Sequence, residues 1–405
     1  MKKLPVPSSE YKDRIERCQK LAKAAGLDAL VVFSHSPDRP GHVRYLSNYY
    51  APLAYNSSSL PDQPIRRGMA DTCVLVPVND EPVLVKAGRP PTDYEVAIKD
   101  IREFRVYVRG ENITSNDLTE MVANVVHEKH LENAKIGIAG EDVISAYLMR
   151  LIKENLPDVR FAYADYIIEG LRHIKSENEI ELMRKTGELA DKALKAAVEA
   201  VRPGVKERDV AAVAVATMLS EGAERVLFND VQSGPNSEKM GTWPMAGDRR
   251  IQEDDIVMID LGAQDENGYW LDVARTIVAG KASKPKKDLV KLGREATDFA
   301  TRIAMPGLDG IQWLQRTNNF VAERIDTKEY AIRRPNPVSF VGHSIGLDME
   351  ALWFVPGAQM ELKENMVISI EPWIHVPGVG ASRFEDLMVV TRKGGELLTQ
   401  YRYDI

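Results

Sequence analysis

The 405-residue chain is 44% hydrophobic and carries a formal net charge of -7, so it is long enough for two or three domains with sizeable cores and lacks the basic face that nucleic acid requires. Two cysteines, Cys18 and Cys73, exclude a disulfide framework. No apolar run approaches the roughly eighteen residues of a membrane-spanning helix, and the start, Met1-Lys2-Lys3-Leu4-Pro5, lacks the apolar core of a signal peptide, so a soluble, cytoplasmic protein without nucleic-acid or membrane partners is expected.

Taken in order, residues 10–25 read as a helix stopped at Gly26. Leu27 to Phe33 is a short apolar run typical of a buried strand. Val43 to Tyr55 is aromatic and is expected to be irregular. Thr72 to Val78 and Glu81 to Lys86 read as a hairpin over Asn79-Asp80. A helix at 118–129, a strand at 134–139 and a helix at 143–155 complete an α/β pattern with a mixed sheet, expected to end near Asp165. Ser176 with Glu179 then forms a capping-box signature for a helix running to about Val201. A second helix spans 207–220. From Val226 onward the chain is strand-rich, interrupted by helices at 287–304 and 310–325. The expected fold class is α+β: a first domain at 1–165, then a domain at 166–405 made of a curved antiparallel sheet covered by helices on one side.

The chemistry concentrates in Ile256 to Gly280. Asp260 and Asp272 lie in two apolar runs separated by a turn containing Asn267-Gly268, a hairpin signal. A two-residue turn there would set Asp260 opposite Arg275, so facing carboxylates need a longer loop or a bulge. A bare carboxylate in an apolar strand is costly unless it is paired, hydrogen-bonded or bound to a cation. Three further residues sit beside strand-like runs: His343, flanked by Gly342 and Gly346, then Glu371 before Pro372, and Glu385 two residues after Arg383. Each acid alone is an ordinary strand-end or surface residue. Together, four carboxylates and one imidazole repel strongly without a counter-charge, and two divalent cations would balance them. Such a donor set suits manganese, iron, cobalt or zinc. Its natural chemistry is hydrolysis by an ionised water.

Asp260, Asp272, His343, Glu371 and Glu385, in that order, resemble the five metal ligands of the pita-bread metallohydrolases, the group of aminopeptidase P, prolidase and creatinase. Arg172-His-Ile-Lys-Ser-Glu-Asn-Glu-Ile180, Asp272-Val-Ala-Arg-Thr276 and Gly342-His-Ser-Ile-Gly-Leu347 resemble that family's segments, and the likeness covers nearly the whole chain. The resemblance implies a pita-bread catalytic domain behind a smaller creatinase-like N-terminal domain, two bound metal ions, a short peptide or small-molecule substrate, and a homodimer.

The chain departs from the peptidase pattern in two places. Trp243, seventeen residues before Asp260, and Glu350, seven after His343, stand where the peptidases have histidines. The Asp260–Asp272 spacing is also one residue longer than usual. The resulting reading is a dinuclear metal-dependent hydrolase of a small amide or peptide-like C–N bond. Glu371 is expected to carry the proton, with Glu350 as a base or cation-binding group and Arg383 orienting a carboxylate. Trp243, Tyr50 and Trp353, among other aromatics such as Tyr45, Tyr49, Tyr55 and Phe354, are candidates for lining a substrate pocket. The first alternative is a metal-dependent lyase on a small zwitterion such as dimethylsulfoniopropionate, since such lyases of this family share the longer spacing and the acid after the His-x-x-Gly-Leu segment. The second is a non-catalytic binding module.

Overall fold

The computed structural model describes residues 2–36, 38–51, 70–88, 94–104, 116–239, 244–325, 338–357 and 359–405. The chain divides into two compact units, Met1–Arg172 and His173–Ile405.

In the first unit, α1 (Ser8–Ala24) leads into β1 (Ala29–His35), which is buried at every position. That burial follows from its place inside a sheet with neighbours on both edges. After α2 (Gly41–Ser47) come β2 (Asp71–Pro77), β3 (Val83–Ala87), β4 (Asp100–Phe104), α3 (Asn116–Glu128), β5 (Lys135–Ala139), α4 (Ala146–Asn155), β6 (Arg160–Tyr163) and α5 (Asp165–His173). The strands form a six-stranded sheet in the order β4-β3-β2-β1-β5-β6. It is mixed: β1–β2 and β2–β3 are antiparallel, the other pairs parallel. The stretch expected to be irregular begins instead as α2. Its Val43, Tyr45 and Leu46 are buried, and that packing outweighs the weak helix propensity of β-branched and aromatic residues. Ser47 Oγ donates to the Val43 carbonyl at 2.6 Å, and Asn48 ends the helix with φ +63.

The second unit opens on α6 (Glu177–Ala200), where both halves of the Ser176–Glu179 capping box are made. After α7 (Glu207–Ser220), β7 (Ala223–Ser233), β8 (Ile256–Asp265) and β9 (Trp270–Val278) form a three-stranded antiparallel sheet. The chain continues through α8 (Lys284–Ile303), α9 (Gly310–Ala322), β10 (Gly342–Ile345), β11 (Met349–Trp353), β12 (Val367–Ile370), β13 (Trp373–Val376), β14 (Gly380–Arg383), β15 (Asp386–Thr391) and β16 (Gly394–Leu397). Five of these strands make an antiparallel sheet in the order β11-β10-β12-β15-β16. Ala296, Ala300, Trp313 and Leu314 of α8 and α9 bury against Ile368, Ile370, Met388 and Val390 of that sheet. Each large apolar side chain buried this way contributes about 1.5–3 kcal/mol. An Ala274–Glu385 bridge ties β9 to the segment entering β15, bringing the two sheets together where the acids lie. This is the α+β arrangement expected, antiparallel sheets with helices packed on them.

Candidate active site

The β8–β9 hairpin decides which face its acids occupy. The loop holds three residues, Glu266, Asn267 and Gly268, between the bonded pair Asp265 and Tyr269, whose backbone N–H···O distance is 2.8 Å. Asp265 Oδ1 accepts from the N–H groups of Asn267 and Tyr269, both at 2.9 Å, and Gly268 takes φ +93. A residue in the left-handed region closing a three-residue loop is a standard hairpin solution. The extra residue shifts the register: Asp260 pairs with Ala274, and Gly262 with Asp272. Directly opposed residues share a face, and so do residues two apart along a strand. Asp260 and Asp272 are therefore diagonal neighbours on one face. The two-residue turn would have put them on opposite faces.

The other donors arrive on β10, after β12 and between β14 and β15. His343 lies opposite Ser369 on β12 and Trp353 on β11. The close approach of β10 and β12 requires glycine at 342, because a Cβ there would lie 2.2 Å from the Ser369 carbonyl oxygen. His343 Nδ1 is 3.1 Å from the Ser344 carbonyl oxygen, which only accepts, so Nδ1 carries the proton and Nε2 keeps its lone pair. Nε2 stands 3.4 Å from both Asp272 Oδ2 and Glu371 Oε1. Ser369 Oγ lies 2.7 Å from the Asp272 carbonyl oxygen and 3.0 Å from Glu385 Oε1, the two acceptors within reach of its single proton.

Arg383 sits among these acids. Its Nη1 donates to Glu371 Oε2 at 2.9 Å, its Nη2 pairs with Asp260 Oδ2, and its Nε is 3.8 Å from Glu385 Oε2. The Asp272-Val-Ala-Arg-Thr276 segment supports this arrangement. Thr276 Oγ1 donates to the Arg383 carbonyl and accepts from the Arg383 N–H, both at 2.9 Å. Arg275, fully buried on the other face, donates to the Glu385 carbonyl at 2.8 Å and to Asp386 Oδ1 at 2.7 Å.

Burial pushes the Asp272 carboxyl well above the ordinary carboxylate range, with Glu385 adding to the effect; burial does the same to Glu371, reinforced by Glu385 and Asp272. Burial lowers His343. These shifts are the signature of acids crowded together without enough positive charge.

The side chains fit a divalent cation. Donor atoms of Asp272, His343 and Glu385 lie within 4.8 Å of one another. Two ligands each about 2.1 Å from a tetrahedral metal are about 3.4 Å apart, whereas a direct hydrogen bond would be shorter. Among the described residues, the buried Asp260 Oδ1 and Glu385 Oε2 accept no hydrogen bond. Imidazole with carboxylates is a donor set for zinc or a harder first-row ion.

The other expected site residues fall in different places. Glu350 is on β11 and buried. Its Oε2 accepts from Lys175 Nζ at 2.7 Å and is also bonded by Ser344 Oγ. The ring of Trp353 stacks on His343 with centroids 4.4 Å apart, and the residue is 37% exposed. Tyr50 belongs to the first unit, where the Arg44 guanidinium lies 5.2 Å from its ring centroid. Tyr45, Tyr49 and Phe354 are packed in the cores. Trp243 and Tyr55 lie outside the described residues. Two functional-site neighbours escaped the sequence reading: Lys175, the partner of Glu350, and Asp230, directly opposite Asp260. Asp230 had a legible signal, a bare acid in the strand-like stretch Val226 to Val231. Lys175 had none, because its partner is remote in sequence.

Comparison with known proteins follows the same lines. Residues 181–392 match metallopeptidase family M24, and residues 14–174 match the creatinase/prolidase N-terminal domain. An Xaa-Pro dipeptidase of Pyrococcus furiosus is 33% identical over 267 residues, 65% of this chain and 73% of the relative. An Xaa-Pro dipeptidase of Pyrococcus horikoshii is 35% identical over 242 residues, 59% of this chain and 66% of the relative. The crystal structure of the prolidase from Pyrococcus horikoshii OT3 superposes with a TM-score of 0.75 at 26% identity, covering 96% of this chain and 99% of that one.

Proposed function

Because the chain belongs to metallopeptidase family M24, with a creatinase/prolidase N-terminal domain before it, we propose that it is a metal-dependent hydrolase of short peptides, cleaving the C–N bond of Xaa-Pro dipeptides or a close analogue. The observation that carries this reading is the convergence of Asp272, His343 and Glu385 donor atoms within 4.8 Å, with Glu371 beside them. The residues assigned to hold divalent ions are Asp260, Asp272, His343, Glu371 and Glu385. Bound there, such ions supply an ionised water near neutral pH and polarise the scissile carbonyl.

The chain's own groups divide the remaining work. Glu371 Oε2 is held by Arg383, which leaves Oε1 to take a proton from the attacking water and return it to the leaving amine. Arg383 fixes Asp260 and Glu371 in one orientation. Trp353, stacked on His343 and 37% exposed, is the aromatic surface we assign to the substrate's side chain. Glu350 acts through position: bonded to Lys175 and Ser344, it holds the turn that carries His343. That engagement argues against Glu350 as the free base a lyase would use. We read the active form as a homodimer, which light scattering on the purified protein tests.

The test is release of proline from Xaa-Pro dipeptides by protein loaded with manganese, alongside headspace detection of dimethyl sulfide from dimethylsulfoniopropionate. Glu371→Gln should lower kcat by at least about a hundredfold while the variant still folds and binds metal. Dimethyl sulfide without proline release would replace hydrolysis by elimination. Full turnover in Glu371→Gln would remove its role.

A further inference from the structure

Asp230 on β7 is directly opposite Asp260 on β8. Opposed residues in an antiparallel pair share a face with Cβ atoms about 4.5–5.5 Å apart, and two like charges there destabilise the sheet. Both side chains keep one buried carboxylate oxygen, Asp230 Oδ1 and Asp260 Oδ1, that accepts no hydrogen bond among the described residues. Asp260 gives its other oxygen to Arg383. Two unsatisfied carboxylate oxygens on facing residues call for a shared positive partner.

Arg383 sharpens the argument. It is paired with Asp260 and Glu371, inside the acid cluster. One guanidinium cancels one of the four carboxylate charges of Asp260, Asp272, Glu371 and Glu385. Asp230 restores that charge, so two divalent ions again balance the site. Asp260 and Asp272 lie on the same face of the β7-β8-β9 sheet, and Asp230 extends that row by one strand.

We propose that Asp230 is a further carboxylate donor to the metal centre, acting with Asp260 on a divalent cation between β7 and β8. The proposal rests on the metal-hydrolase reading above and adds a ligand from a strand that reading does not use.

The experiment is isothermal titration of chelator-treated full-length protein with manganese chloride. Wild type, Asp230→Asn, Asp230→Glu and Asp248→Asn are compared, the last being an exposed acid paired with Lys206. Asp230→Asn keeps the shape and removes the charge, and should weaken the binding of one ion by at least about tenfold. It should also reduce the rise in melting temperature that manganese produces. Asp230→Glu, which keeps a donor, should stay nearer wild type, and Asp248→Asn should equal wild type. Equal affinity in wild type and Asp230→Asn would overturn the proposal alone and leave a proton shared between Asp230 and Asp260. Wild-type protein that takes up no manganese would overturn the metal reading and this proposal with it. If Asp230→Asn fails to fold, equal affinity in Asp230→Glu and Asp230→Ser overturns the proposal instead.

Discussion

Changing Lys175 to Met tests what holds the buried acid Glu350 beside the residues proposed to bind metal. Lys175 and Glu350 are each 1% exposed, and their charged atoms are 2.7 Å apart. Lys175 donates also toward Ser344 Oγ at 3.5 Å, so its ammonium joins the two residues that flank the turn at Gly346. A Cβ on Gly346 would meet Glu350 Oε1 at 2.5 Å, which shows how closely the turn is packed on the pair. Lys175→Met removes the positive charge and leaves the Glu350 carboxylate buried without its ammonium partner. Removing one member of a buried ion pair costs about 3–5 kcal/mol, because the other charge stays desolvated. For a unit of this size that corresponds to a fall of about 6–20 °C in its melting temperature. The double variant Lys175→Met/Glu350→Leu removes both charges and should recover most of the loss, since replacing a buried pair by apolar groups is often neutral. Differential scanning calorimetry on the four members of the cycle measures the coupling. The reasoning is refuted if Lys175→Met melts within about 2 °C of wild type, or if the double variant loses the sum of the single losses. Turnover separates structure from chemistry: a double variant that folds like wild type and retains its kcat shows that Glu350 takes no part in the reaction, whereas loss of kcat in a variant that folds and still binds manganese shows that it does.

Gly342→Ala places a methyl against the Ser369 carbonyl oxygen, forcing β10 away from β12. It should destabilise the protein by about 1–3 kcal/mol and weaken manganese binding through displacement of His343, and unchanged affinity by titration would contradict the stated role of the glycine. Asp272 and Glu371 are held well above their ordinary values, chiefly by burial, so the metal-free native state binds their protons more tightly than the unfolded chain does. Stability from these two groups is then fullest at acid pH and falls as pH rises above the ordinary carboxylate range toward the raised native values. Metal-free wild type should therefore lose stability relative to Asp272→Asn as pH rises above the ordinary carboxylate range, a trend that manganese reverses; a flat difference in melting temperature would refute it.

Part of this molecule is written locally. The Ser176–Glu179 capping box needs residues three apart, and both of its bonds form. Buried strands such as Ala29–His35 follow from their apolar runs. The order of Asp260, Asp272, His343, Glu371 and Glu385, with the glycines around His343, already pointed to the M24 family and to an antiparallel sheet under helices. The α2 helix was illegible because its burial comes from the rest of the unit, not from its own sequence.

The site was decided by tertiary structure wherever faces and distant partners were at stake. A strand has a two-residue period, so one residue in the Glu266-Asn267-Gly268 loop decides whether Asp260 and Asp272 share a face, and only the folded register shows that they do. Asp230 gains meaning from lying opposite Asp260, and Glu350 from meeting Lys175 across 175 residues of chain. Arg383 could be named from sequence as a partner for a carboxylate, but not as the cation shared by Asp260 and Glu371. Residue type and spacing fix which chemistry a chain can perform. Which acids meet, and which cation keeps them apart, is set by long-range pairing, because electrostatic energy depends on distances that sequence separation does not encode.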